Sequence, residues 1–265
     1  MQEYVNQKPE ALWLSVSPYL KGFDQRLLSH LTGTALVRRW EYYQTVDEPC
    51  CVEDVVESLH EYITNRAAEQ AANSGEDRPI HLLGHGVSGT LALLYARRYP
   101  QHVASLTLLS VSSQPAVNWP AHYYALRQLL PCSRQMILTH MARLLFGDRP
   151  TRFATALAQL LERELDSSLT FHSLARRTEI VAGGVEVPLL VCSGEADFIA
   201  NQRPTSWQAW QKAGDRVWIC PNGNHFFHFH HPNATATAIA AYWQQLNLTQ
   251  KSASLHPILA PHSRL

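Results

Sequence analysis

The sequence predicts an α/β fold: one mostly parallel sheet of about six strands, with helices on both faces. Three observations carry this. Short apolar runs at 11–17, 35–43, 104–111, 187–192 and 217–220 alternate with helical patterns in the order a parallel sheet needs. The segment Pro79 to Pro100, PIHLLGHGVSGTLALLYARRYP, reads as an apolar strand, a glycine-rich corner and a helix. Finally, strand rhythm stops from about Gln114 to Gly184, where helical patterns broken by Pro120, Pro131, Gly147-Asp148 and Pro150 take over.

The elements follow in order. ALWLSVS at 11–17 has strand character, and Pro18 closes it. Leu27, Leu28 and Leu31 place a short helix over 23–31, and 35–43 is the next strand with its exit. Arg38, Arg39, Trp40, Glu41, Tyr42 and Tyr43 put charged and aromatic groups at that strand end. From Val52 to Ala72, Val55, Val56, Leu59 and Ile63 share one helix face, with Glu53 and Asp54 near the positive end of its dipole. Ile80 to Leu83 suits a strand buried on both faces. The helix after it ends with Arg97 and Arg98 near its negative end, and Pro100 cannot continue it. Trp119, Tyr123, Tyr124, Leu126, Leu129, Met136, Ile137, Met141, Leu144 and Phe146 supply the apolar surface of the 114–184 segment, where Arg176-Arg177 reads as a solvated helix end. A helix is expected over Ser206–Ala213 and a final amphipathic one over Ala234–Leu246, followed by a loose polar tail.

Composition narrows the function. Twenty-two basic and 22 acidic residues cancel in a chain of 265, so no overall charge points to nucleic acid or an anionic membrane. Cys50, Cys51, Cys132, Cys192 and Cys220 are odd in number and lack metal-ligand spacing, which favours reduced thiols and a cytoplasmic setting. The first ten residues lack a signal-peptide apolar region, and no apolar run reaches transmembrane length. No cofactor is expected, and none of His225, His228, His230 and His231 has an acid or cysteine to complete a metal-ligand set.

Gly84-His85-Gly86-Val87-Ser88-Gly89 at a strand-to-helix corner resembles the nucleophile elbow of the α/β-hydrolase superfamily, whose usual segment reads Gly-His-Ser-x-Gly-Gly before a helix ending in Tyr-Pro. In that family the proline commonly follows the nucleophile by fourteen residues, and 100 − 86 = 14, whereas Ser88 gives 12. The resemblance therefore places the nucleophile position on Gly86, which carries no oxygen, and leaves Ser88 either a displaced nucleophile or a small residue at the helix start. Ser193-Gly194-Glu195-Ala196-Asp197 resembles the turn that bears the catalytic acid, and Pro221-Asn222-Gly223-Asn224-His225-Phe226 the loop that bears the catalytic histidine. Asp197 and His225 match those positions, 28 residues apart.

The family's oxyanion loop normally carries His-Gly, and Ser17-Pro18 stands there instead, leaving Tyr19 N–H and Val87 N–H as the matching donors, with His85 beside the pocket. The resemblance covers about residues 11–246. It implies a sheet trimmed from eight strands to about six, a hydrolase core over 1–113 and 185–248, a helical cap over 114–184, and a flexible tail over 249–265. Three functions are consistent with it: binding of a small apolar ligand or a protein partner without acyl-enzyme chemistry, general-base catalysis by Asp197–His225, or an esterase that uses Ser88.

Overall fold

A computed structural model describes residues 8–42, 51–74, 78–114, 117–167, 180–200 and 207–255. Six strands form one all-parallel sheet: β1 (Glu10–Ser15), β2 (Leu36–Glu41), β3 (Ile80–His85), β4 (Val103–Leu109), β5 (Leu189–Gly194) and β6 (Arg216–Cys220), in the order β2-β1-β3-β4-β5-β6. The helices are α1 (Gln25–Leu31), α2 (Val52–Ser74), α3 (Gly86–Arg98), α4 (Trp119–Leu129), α5 (Arg134–Phe146), α6 (Thr151–Asp166), α7 (Phe227–His230) and α8 (Pro232–Leu255).

Alternation along the strands divides the core into two layers. Leu12, Leu14, Leu82, Leu106, Leu108, Leu189 and Val191 face Val55, Leu59 and Ile63 of α2 and Leu91 and Tyr95 of α3. Trp13, Leu83, Leu109, Leu190 and Cys192 face Leu27 and Leu31 of α1 and Ile239, Tyr242 and Trp243 of α8. Because the strands are sandwiched, β1, β3, β4 and β5 read as near-continuous apolar runs, which is what makes them visible in the sequence.

Helices α4–α6 lie between β4 and β5 in the chain. They form a third apolar cluster, in which Trp119, Tyr123, Ile137, Met141, Leu145, Phe146 and Leu161 pack on Leu20, Ile199 and Phe226 of the sheet's loops. The insertion is joined to the loop below it by main chain as well, since Phe226 N–H donates to Leu145 O at 3.0 Å.

Two expected boundaries differ from the structure. Within the helix expected over Ser206–Ala213, the described part is only a 3-10 turn at Gln208–Trp210, because Trp207 turns inward to donate its indole N–H to Val111 O instead of lying on a helix face. The last helix runs to Leu255, past the expected start of the tail at 249. Cys50, Tyr43, Arg176, Arg177 and residues 256–265 lie outside the described residues. No described helix is long and apolar enough to cross a membrane.

The crossing of β3 and α3 depends on two glycines. A Cβ on Gly84 would lie 2.7 Å from Gly89 N, and one on Gly89 would lie 2.4 Å from Val111 Cγ2 and 2.7 Å from Gly84 O. Backbone is thus packed on backbone. Gly89→Ala is expected to lower the stability by about 1–3 kcal/mol through overpacking, read as a drop in the urea midpoint; an unchanged midpoint would contradict so close an approach.

Candidate active site

The carboxyl ends of the parallel strands, the usual place for a site in open α/β sheets, converge here on the turn that begins α3. Gly86 opens that helix with φ +52°, a left-handed conformation that costs glycine little. A Cβ built on Gly86 would point at His225 and lie 3.6 Å from its Nε2. A serine hydroxyl, one bond farther on, would therefore fall within hydrogen-bonding reach of that nitrogen.

Asp197 and His225 meet from different loops. His225 Nδ1 lies 3.0 Å from Asp197 Oδ2 and 3.1 Å from Oδ1, and both side chains are buried. Asp197 Oδ1 also accepts the N–H groups of Ile199 and Ala200. Burial opposes its ionisation, yet the His225 ring, the Ala200 N–H and the Ser110 hydroxyl outweigh burial and hold its carboxyl below the ordinary range. An ionised Asp197 accepts a hydrogen bond from Nδ1, and the other ring nitrogen, Nε2, faces Gly86. That Nε2 is buried and has no hydrogen-bond partner among the described residues.

The His225 carbonyl is held twice. Ser110 Oγ donates to it at 2.7 Å and His85 Nε2 at 3.0 Å. Ser110 follows β4 with φ +51°, an uncommon conformation for a residue with a side chain, so the contact is bound up with local backbone strain. Burial and the neighbouring rings of His228 and His225 drive the His85 pKa far down, which keeps this imidazole neutral. Beneath it lies a second acid–imidazole pair: His228 Nε2 is 3.1 Å from Asp24 Oδ1, and Trp13 Nε1 donates to Asp24 Oδ2 at 2.9 Å. The histidine run does not converge on one point, for His228 turns inward to Asp24 and His230 turns outward to Arg149.

The remaining residues singled out in the sequence occupy the same region. Ser88 Oγ accepts the Val16 N–H at 3.0 Å, tying the exit of β1 to the first turn of α3. Ser88 is buried, and its oxygen is directed to β1. Val87 N–H is one of the first four amides of α3, which have no partner within the helix. Tyr19 N–H, the other donor matched to the oxyanion loop, is engaged by Glu164 Oε2 of the insertion at 3.0 Å. Between these loops lies a cleft lined by Trp13, Leu14, Ser17, Leu20, Asp24, Gly86, Val87, Trp119 and Phe226. Its volume is about 20 Å³, the room of about one water molecule.

Ser110, Asp24, Trp13 and Glu164 could not be singled out from the sequence. Their partners are distant along the chain, and a serine at a strand end or a glutamate in an amphipathic helix has no local signature. Glu164 left one trace: it shares a helix face with Ala154, Ala158, Leu161 and Leu165, where a carboxylate is out of place.

The family's sequence model, described as alpha/beta hydrolase family, matches residues 25–238. The chain belongs to the alpha/beta hydrolase family. An uncharacterized protein of Synechocystis sp. is 40% identical over 252 residues, covering 94% of this chain and 96% of that protein. An uncharacterized protein of Nostoc sp. is 38% identical over 242 residues, covering 90% and 92%. Among solved structures, a hydrolase from Pseudomonas aeruginosa aligns with a TM-score of 0.63 at 20% identity over 91% of this chain and 92% of that one. At that identity the likeness shows the fold, and six parallel strands flanked by helices are the alpha/beta hydrolase core in trimmed form.

If Ser88 serves the turn rather than chemistry, Ser88→Ala leaves Val16 N–H buried without its partner. The variant should lose about 1–3 kcal/mol in urea unfolding; a loss near zero would show that the bond contributes nothing to the turn.

Proposed function

We propose that this member of the alpha/beta hydrolase family forms no acyl-enzyme and acts by binding, with the helical insertion as a cap over the site at Gly86. The reading rests on one observation: the position whose Cβ would face His225 Nε2 at 3.6 Å belongs to a glycine. Acyl transfer through a serine needs an oxygen there for the imidazole to deprotonate, and then two N–H donors for the oxyanion. Gly86 offers no oxygen, Ser88 Oγ is occupied with Val16 N–H, and Tyr19 N–H is occupied with Glu164.

What would be bound follows from the lining. Leu14, Leu20, Val87, Trp119 and Phe226 present apolar surface, and Trp119 comes from the insertion itself. Ser17, Lys21, Asp24 and Ser88 share that lining, which suits a small ligand whose apolar part lies on Trp119 and Phe226 and whose polar part meets the Ser17 side of the cleft. A cleft of about 20 Å³ is far below the roughly 300–1,000 Å³ usual for such ligands, so binding requires the insertion to lift. The weight of the insertion on Leu20, Ile199 and Phe226 makes it the element whose movement would open the site.

A second reading is favoured by a specific feature. His225 Nε2 is buried and has no hydrogen-bond partner among the described residues, while Asp197 fixes the opposite nitrogen. An imidazole held this way suits a general base toward water or an acidic substrate proton. In that case the protein would be an enzyme without a covalent intermediate.

The two readings share one test and separate on another. Intact-mass measurement after exposure to a fluorophosphonate should show the native protein unlabelled; stoichiometric labelling would contradict both, and its loss in Ser88→Ala would assign the reaction to Ser88. In a screen of hydrolytic and proton-abstraction substrates, the binding reading expects no turnover. The second reading expects turnover that falls about 10²–10⁴-fold in His225→Ala, and full turnover in that variant would remove it.

A further inference from the structure

The contact between Glu164 and Tyr19 joins the helical insertion to the loop that borders the Gly86 cleft. Glu164 sits near the end of α6, on the stripe formed by Ala158, Leu161 and Leu165, and only 2% of its surface is exposed. Its Oε2 accepts Tyr19 N–H at 3.0 Å, and the Ser17 hydroxyl bonds the same carboxyl. Ser167 Oγ, just past the helix, donates to the Glu164 carbonyl at 2.8 Å and fixes the helix end from which the side chain extends. A side chain of the insertion thus occupies a main-chain donor on the rim of the cleft. Trp119 of the insertion and Leu20 of the same loop belong to one apolar cluster, and both line the cleft.

We propose that Glu164 is a latch, holding the insertion closed on the 17–20 loop through the Tyr19 N–H and opening the Gly86 cleft when that bond is released. The proposal supplies the opening that the binding reading requires, and it rests on that reading for its purpose.

The chemistry of the latch gives it a direction with pH. Burial raises the Glu164 carboxyl to about 7, against the opposing effect of the Tyr19 N–H and the Ser17 hydroxyl. The titratable groups on the elements around it are Tyr19 and Lys21 on the loop, His122, Tyr123, Tyr124 and Arg127 on α4, Arg134, His140 and Arg143 on α5, and Arg152, Glu162, Arg163 and Asp166 on α6. Lys21 pairs with Glu41, and Arg134 with Glu162 and Asp166. Desolvation, not a neighbouring charge, therefore sets the shift. For a carboxyl raised in the folded state, the contribution to closure is full in acid, below the unfolded value near 4.5, and fades as pH rises through about 7. The latch is closed when protonated and loosens in alkali.

Hydrogen exchange at the Tyr19 amide, corrected for the intrinsic pH dependence of exchange, tests this without a ligand. In the native protein, protection should fall by about tenfold or more between pH 6 and pH 8.5. Glu164→Gln retains an acceptor but cannot ionise, so its protection should be equal at the two values. Protection in the native protein that does not change with pH would overturn the proposal, as would an unaltered pH slope in Glu164→Gln. Glu164→Ala should be unprotected at both values; if it fails to fold, the comparison of the native protein with Glu164→Gln still decides. Failure here leaves the fluorophosphonate result untouched, so the latch and the binding reading fall separately.

Discussion

Backbone contact between β3 and the start of α3 is the constraint on which the rest of the site depends. Gly84 and Gly89 approach so closely that a methyl group on either would meet main-chain atoms at 2.7 Å. The chain must therefore reverse within the four residues between them, and Gly86 takes the left-handed conformation at the apex. With β3 in the middle of the sheet, flanked by β1 and β4, the loops that follow its neighbours are brought to the same apex. The β1 exit is tied down by Ser88, the β4 exit reaches His225 O through Ser110, and the loops after β5 and β6 deliver Asp197 and His225.

The turn places at its left-handed apex a residue whose Cβ would face His225 Nε2, and that residue, Gly86, carries no side-chain oxygen. In a serine hydrolase a side chain is forced into a strained conformation there, and the strain is compensated by the rest of the fold. Glycine adopts such angles at little cost and offers no side-chain oxygen, so a serine at this position would bring both strain and a hydroxyl to the turn. The Asp197–His225 pair persists with buried hydrogen bonds, and two donors hold the His225 carbonyl. Such a pair can serve a base, a ligand contact or the stability of its loop. The geometry leaves Nε2 directed at Gly86 in each case.

How much of this was legible in the sequence depends on how local each signal is. The strands that lie between helix layers are apolar throughout, so the sheet could be traced from β1 to β6, and the distance from Pro100 located the apex on Gly86 rather than Ser88. Asp197 and His225 stood in short turns with recognisable neighbours, and the structure brings both to the apex. The other contacts join residues far apart in the chain: 72 residues for Val16–Ser88, 145 for Tyr19–Glu164 and 204 for Asp24–His228. No local pattern encodes such a pair, because each partner reads separately as an ordinary serine, glutamate or histidine. The short turn at Gln208–Trp210 was hidden for a related reason, since the inward pull on Trp207 comes from Val111 O, 96 residues away.

Whether a serine oxygen at the Gly86 position would meet His225 is decided by a crystal structure of Gly86→Ser. In that structure the turn keeps its left-handed apex, and the introduced hydroxyl lies about 2.6–3.2 Å from His225 Nε2. A hydroxyl directed away from His225, or a turn that rearranges to place Ser88 against that nitrogen, would contradict that placement.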